Sequence, residues 1–119
     1  MTRASLLAAV ALVACRTAGP DLPALVTSPT PESRAEITHT VSLALQGAPV
    51  TLADDALTGE DTLVIERAHP RSLEGDPSAG RETKRPERFR LVKSDGRCVL
   101  VHEATGRRYT LTATSCMTR

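Results

Sequence analysis

The stretch that runs from Phe89 to Ala113 limits the fold more than any other part of the chain. Phe89-Arg90-Leu91-Val92-Lys93 leads into Ser94-Asp95-Gly96-Arg97, and Asp-Gly between alternating segments predicts a two-residue hairpin, because both turn positions require positive φ. Cys98 to Glu103 is the return strand, Ala104-Thr105-Gly106-Arg107 a second turn, and Arg108 to about Ala113 a third strand. With Asp95-Gly96 as the first loop, Leu91 faces Leu100 and Phe89 faces His102. With Thr105-Gly106 as the second, His102 faces Tyr109 and Leu100 faces Leu111. One face then carries Phe89, Leu91, Cys98, Leu100, His102, Tyr109 and Leu111. The other carries Arg90, Val92, Val99, Val101, Glu103, Arg108, Thr110 and Thr112. A slip of one residue would turn the apolar set away from the core, so pattern and loop lengths support each other.

Upstream, Ile37, His39, Val41, Leu43 and Leu45 alternate with Thr38, Thr40, Ser42, Ala44 and Gln46, which predicts a half-buried strand ended by Gly47-Ala48-Pro49. Val50 and Leu52 predict a short strand. An acidic, turn-rich stretch from Asp54-Asp55 to Asp61 follows, with one helical turn around Ala56-Leu57, and Thr62 to Glu66 is a further strand. Residues 68–87 hold three Pro and two Gly, with Leu73 as their one sizeable apolar residue, and predict a long charged loop. Phe89 and Tyr109 are the only aromatics in a chain without Trp, so the core must be thin. The expected fold is mostly β: a small antiparallel sheet or partly closed barrel over 36–119, ending in the three-strand meander.

The N-terminus carries an address. Arg3 precedes an apolar run from Ala4 to Ala14, of the length of a secretory signal and too short to span a bilayer. Its end, Leu12-Val13-Ala14-Cys15, resembles the lipobox of bacterial lipoproteins. The resemblance implies removal of signal peptide 1–14, acylation (palmitate) of Cys15, and anchoring to the membrane through acyl chains, which hold stably when there are two or more. Arg16 stands where an Asp tends to retain such proteins at the inner membrane. The expected location is therefore the cell envelope, at the outer membrane facing the periplasm in a Gram-negative cell. Residues 15–35, with Pro20, Pro23, Pro29 and Pro31, read as the lipidated Cys and an extended Pro-rich tether; the alternative is an ordered arm packed through Leu22, Leu25 and Val26. With Cys15 assigned to lipid, Cys98 and Cys116 remain as a disulfide pair in an oxidising compartment. The register above sets Cys98 opposite Ala113, so Cys116 comes within bonding range only if the chain turns back or bulges.

The sequence offers little reactive chemistry. His39, His69 and His102 have no metal-ligand spacing, and His39 and His102 fall on apolar strand faces as hydrogen-bonded core or rim residues. Asp54, Asp55, Glu60 and Asp61 lack the ligand ladder of a Ca²⁺ loop and read as a solvated acidic turn. No nucleophile elbow or phosphate loop occurs, so no enzyme activity, metal or cofactor is expected. Charge is divided unevenly: residues 16–66 hold two basic and eight acidic side chains, and 67–119 twelve basic and six acidic. Arg81, Lys84, Arg85, Arg88 and Arg90, joined by Arg107 and Arg108, form a candidate surface for an anionic envelope polymer, a lipid headgroup or an acidic protein. Nucleic acid is not an expected partner, for want of aromatics to stack on bases. The expected function is that of a binding or structural module. The alternative is an inhibitor of an envelope hydrolase, because Ala104-Thr105-Gly106-Arg107-Arg108-Tyr109 resembles the Ser-Gly-rich, Tyr-ended motif of lysozyme-inhibiting lipoproteins.

Overall fold

A computed structural model describes residues 19–66 and 85–119. The order of elements is β1 (Leu22–Thr27), α1 (Pro31–Ala44), β2 (Thr62–Ile65), β3 (Glu87–Ser94), β4 (Arg97–His102), β5 (Arg108–Leu111) and β6 (Ser115–Thr118). The fold is mostly β, with one helix laid on an open antiparallel sheet of six strands. Along the sheet the order is β5-β4-β3-β1-β6, and β2 pairs with β3 off this path. Of the two expected forms the sheet is the open one, with β5 and β6 as its ends among the described residues.

The meander forms as its sequence requires. Asp95 and Gly96 take φ of 50° and 75° in the turn between β3 and β4, and Phe89 pairs with His102 and Leu91 with Leu100. The next connection is longer than expected. Leu100 pairs with Tyr109 and Cys98 with Leu111, so the turn spans Glu103 to Gly106 and the register moves by two residues. A shift of two preserves every side chain's face, and the apolar set stays in the core. Phe89, Leu91 and Leu100 are fully buried there.

β5 ends at Leu111 rather than near Ala113, and Glu36 of α1 holds the chain where it departs. Its carboxylate accepts hydrogen bonds from Thr112 N and Oγ1, from Ala113 N and from Thr114 Oγ1, at 2.8 to 3.0 Å. The chain then joins the far end of the sheet as β6, whose Cys116 pairs with Val26 of β1. This redirection removes the difficulty with Cys116. Cys98 and Cys116 are bonded with Cα atoms 6.0 Å apart, and the bridge ties β4 to a strand that is not its neighbour.

The first half departs from expectation. Residues 31–44 are helical, not a strand. Thr30 is the N-cap and Pro31 opens the first turn. The Thr30 hydroxyl accepts from Ser33 N at 3.1 Å while Ser33 Oγ accepts from Thr30 N at 2.9 Å, a reciprocal pair that satisfies helix-end donors. At the other end Gly47 N bonds Ser42 O and Gln46 N bonds Leu43 O, with Gln46 and Gly47 both at positive φ, which is a Schellman termination. The buried face is Ser33, Ile37, Thr40 and Val41. His39, expected on an apolar strand face, is exposed on the helix.

The expected tether is overturned from Leu22 onward. β1 enters the sheet between β3 and β6, with Ala24 and Val26 buried, so the segment is an ordered arm, but of the three side chains expected to pack only Val26 is buried, Leu25 being half-buried and Leu22 exposed. A Pro-rich stretch can do this because Pro23 donates no hydrogen bond but its carbonyl accepts one, from Arg119 N. Val50 and Leu52 pack against the core without forming a strand, and residues 54–58 make turns rather than a helical turn. β2 lies where the strand at 62–66 was expected. The expected loop at 68–87 lies almost entirely outside the described residues, although Glu87 already belongs to β3.

Candidate functional site

The sheet has two unlike faces. On one, α1 and the segment after it cover Phe89, Leu91, Cys98, Leu100 and Leu111. The register gives the other face Arg88, Arg90, Val92 and Ser94 from β3, Arg97, Val99 and Val101 from β4, and Arg108 and Thr110 from β5. β2 adds Thr62 and the exposed Val64, which pair with Arg90 and Arg88. Val92, Val99 and Val101 form a second buried cluster at its centre. Arg88, Arg90, Arg97 and Arg108 are all exposed around it. Side chains two residues apart along a strand are about 6.6 Å apart, and neighbouring strands lie about 4.8 Å apart. The guanidinium groups therefore share one patch.

Of the residues singled out from the sequence, Arg88, Arg90 and Arg108 are brought together here. Arg85 is exposed just ahead of β3, near Glu103 and Ala104 across a shallow concavity. Arg107 is exposed in the turn before β5, where its carbonyl accepts from His102 N, and it belongs to the rim rather than the patch. Arg81, Lys84 and Cys15 lie outside the described residues. Arg97 was missed. Its signal was present, since it stands two residues before Val99 and so falls on the same face.

Asp21 was missed as well, and nothing local announces it. Its carboxylate receives Arg108 Nη1 at 2.6 Å and Nη2 at 2.8 Å, across a separation of 87 residues. The paired hydrogen bond from Arg108 is the chief reason the Asp21 carboxyl titrates below its usual range, helped by the Ser94 hydroxyl and the charge of Arg90. Next to it Gly19 N donates to Asp95 Oδ1 at 3.1 Å. The segment 19–21 is thus pinned to this face at the β3–β4 turn and at β5.

His102 sits on the helix-covered face and is 4 % exposed. It stacks on Phe89 with ring centres 4.6 Å apart. Its Nε2 is 2.7 Å from Glu87 Oε2 and its Nδ1 is 3.1 Å from Thr105 Oγ1. The ring thus bridges the carboxylate and the threonine hydroxyl. The same hydroxyl oxygen accepts Arg107 N at 3.2 Å. Carboxylate, imidazole and hydroxyl therefore lock the turn from Glu103 to Gly106, and of the core or rim places expected for this hydrogen-bonded histidine it takes the core. In the segment 104–109, Ala104 to Arg108 is exposed and Tyr109 is half-buried against the core.

Among the described residues no three His, Cys, Asp or Glu side chains converge as a metal site, and Asp61 is engaged by Arg119 at 3.4 Å. No helix among them is long and apolar enough to cross a membrane. No protein-family model, curated protein or solved structure matches the chain.

Proposed function

We propose that this is a lipid-anchored protein of the bacterial cell envelope, cut after Ala14 and acylated on Cys15, whose β domain acts as a binding or structural module without enzymatic activity. The observation that carries the reading is the disulfide. The chain has three cysteines, and the bond between Cys98 and Cys116 leaves Cys15, at the end of the apolar run, as the one thiol free for lipid. A structural disulfide also fits an exported chain better than a cytosolic one. The binding surface is the arginine-bearing face, where Arg88, Arg90 and Arg97 extend beside the paired Arg108. Its ligand class is anionic: an envelope polymer, a membrane headgroup or an acidic protein.

The test is the intact mass of the protein purified from membranes of a bacterial host, before and after reduction. The expected result is a chain beginning at Cys15 with added acyl chains, gaining two hydrogens when the single disulfide is reduced. An unprocessed chain with three free thiols would sink the anchor and the compartment together. The binding half is read separately, by retention on an anionic polymer as salt is raised. Binding that ignores salt would count against the arginine face.

A further inference from the structure

We infer that the arginine-bearing face rests on the anionic headgroups of the membrane that holds Cys15; this rests on the anchoring reading above. The neck between anchor and domain is short. Were residues 15–35 a free tether, the domain could stand far from its lipid in any orientation. The sheet instead begins at Leu22, and Gly19 is already bonded to Asp95. Three residues, or four Cα-to-Cα steps, separate Cys15 from Gly19, which at full extension reach no more than about 14 Å. The anchor is therefore confined to the neighbourhood of the β3–β4 turn, whichever way the neck runs.

The neck leaves at the edge of one face and not the other. Asp21 is clasped by Arg108, so the segment leading to the anchor lies beside the patch that carries Arg88, Arg90 and Arg97. Strand spacing sets Arg90 about 13 Å and Arg88 about 20 Å from Ser94, at the turn. The acidic side chains lie chiefly elsewhere. Residues 19–66 contain one basic side chain, Arg34, against eight acidic ones, and residues 85–119 contain eight basic against three acidic. Glu32 and Glu36 belong to α1, on the opposite side of the sheet, and Asp54 lines a groove against that helix. On the patch itself Asp21 is neutralised by Arg108, which leaves Asp95, Glu103 and, just past β2, Glu66 against Arg88, Arg90 and Arg97, with Arg85 and Arg107 at the rim. A negatively charged surface within about 8 Å of such a molecule attracts one side and repels the other. Short neck and charge separation act in the same sense, and helix α1 is turned away from the bilayer.

The absence of Trp makes the orientation measurable. Single tryptophans are introduced in the full-length chain at Thr110→Trp or Val64→Trp, two positions on the arginine face, and at Leu43→Trp, which is exposed on α1. The lipidated proteins, their Cys15 mass checked in each preparation, are reconstituted in phosphatidylglycerol vesicles carrying a headgroup-dansyl lipid. Energy transfer is expected to be several-fold stronger from T110W and V64W than from L43W. The difference should shrink several-fold, to what the short neck alone imposes, in phosphatidylcholine vesicles, at molar salt and in the R88Q/R90Q/R97Q background, each arginine contributing about five-fold to the oriented population. Equal transfer from the two sides in phosphatidylglycerol, stronger transfer from L43W, or a preference undiminished in neutral lipid would overturn the inference. An acylated mass with no orientation overturns it alone, in favour of a soluble polymer or acidic protein on this face. A mass without acyl chains overturns it together with the anchor.

Discussion

Leu100 and Val101 are neighbours on β4, both buried, and belong to different worlds. Leu100 points into the core that α1 covers, among Phe89, Leu91 and Leu111, and is fully enclosed. Val101 points the other way, into a cluster of three valines edged by exposed arginines. The first face holds nearly all the large apolar side chains, the disulfide and the Glu36 clamp. The second has medium-sized apolar groups, four guanidinium groups and one bidentate ion pair at its margin. A central strand buried on both sides lets a small domain separate the two tasks. Stability comes from the helix-covered face, and the other is left free to vary in charge without threatening the fold.

The sharpest way to break this comparison is to truncate both neighbours. Leu100→Ala removes a fully buried side chain and should cost about 2 to 5 kcal/mol in denaturant unfolding. Val101→Ala deletes two carbons, one fewer than Leu100→Ala, at about 0.8 kcal/mol per buried CH₂, and should cost about 1.5 kcal/mol. Equal losses would mean that the valine cluster is as much core as the leucines. The disulfide comes next. Its sequence separation of 18 corresponds to about 3 kcal/mol of loop-closure stabilisation, so the Cys98→Ser/Cys116→Ser variant should melt well below the parent while keeping its arginine face. A melting point unchanged by loss of the bridge would show that β6 is held by β1 alone.

The same division explains what could be seen in the sequence. The meander was legible because its strands are joined by short turns and its pattern has one period. Phe89, Leu91, Leu100 and Leu111 say core whichever even shift of register is chosen, and Arg90 and Arg108 followed from the same alternation. The helix was not, because Ile37, Val41 and Leu45 are spaced by four, which serves a helix as well as a strand. The deciding signal is Thr30-Pro31-Glu32-Ser33, a cap followed by Pro at the first helical position, which the neighbouring prolines disguise as part of a tether. β1 was hidden for a related reason. Its prolines argue for exposure, while its place between β3 and β6 depends on partners some seventy to ninety residues away. Asp21 and Glu36 belong to this class, since long-range ion pairs and clamps leave no local mark.

Glu36 offers a test with a definite sign. Partial burial pushes its carboxyl up, but the hydrogen bonds from Ala113, Thr114 and Thr112 together outweigh burial and hold it below the usual glutamate range. The folded state therefore binds this proton less readily than the unfolded chain. The clamp contributes fully above the ordinary glutamate value of about 4.3 and is lost as pH falls through the lower folded value. Glu36→Gln should cost about 1 to 3 kcal/mol at neutral pH and flatten the acid limb of a stability profile. An unchanged acid limb would mean that the departure of the chain from β5 is fixed by the disulfide and by β6 pairing, with the carboxylate a bystander.

The smallest effect is expected on the arginine face, and smallness is its content. Asp21 and Arg108 are about a third and under half exposed, at 35 and 44 %, so solvent screens the pair and its rupture by Asp21→Asn should cost about 0.2 to 1 kcal/mol. The sign with pH follows that of Glu36, the contribution being present above the ordinary aspartate range and fading below it, but through a smaller amplitude. What Asp21→Asn changes is charge. It frees the Arg108 guanidinium and removes the nearest carboxylate, so binding to an anionic surface should strengthen while the melting point scarcely moves. A stability loss comparable to that of Glu36→Gln would assign segment 19–21 a structural role on a par with the clamp. The contrast between a face that holds the fold and a face that carries charge would then have to be redrawn with β1 on both sides.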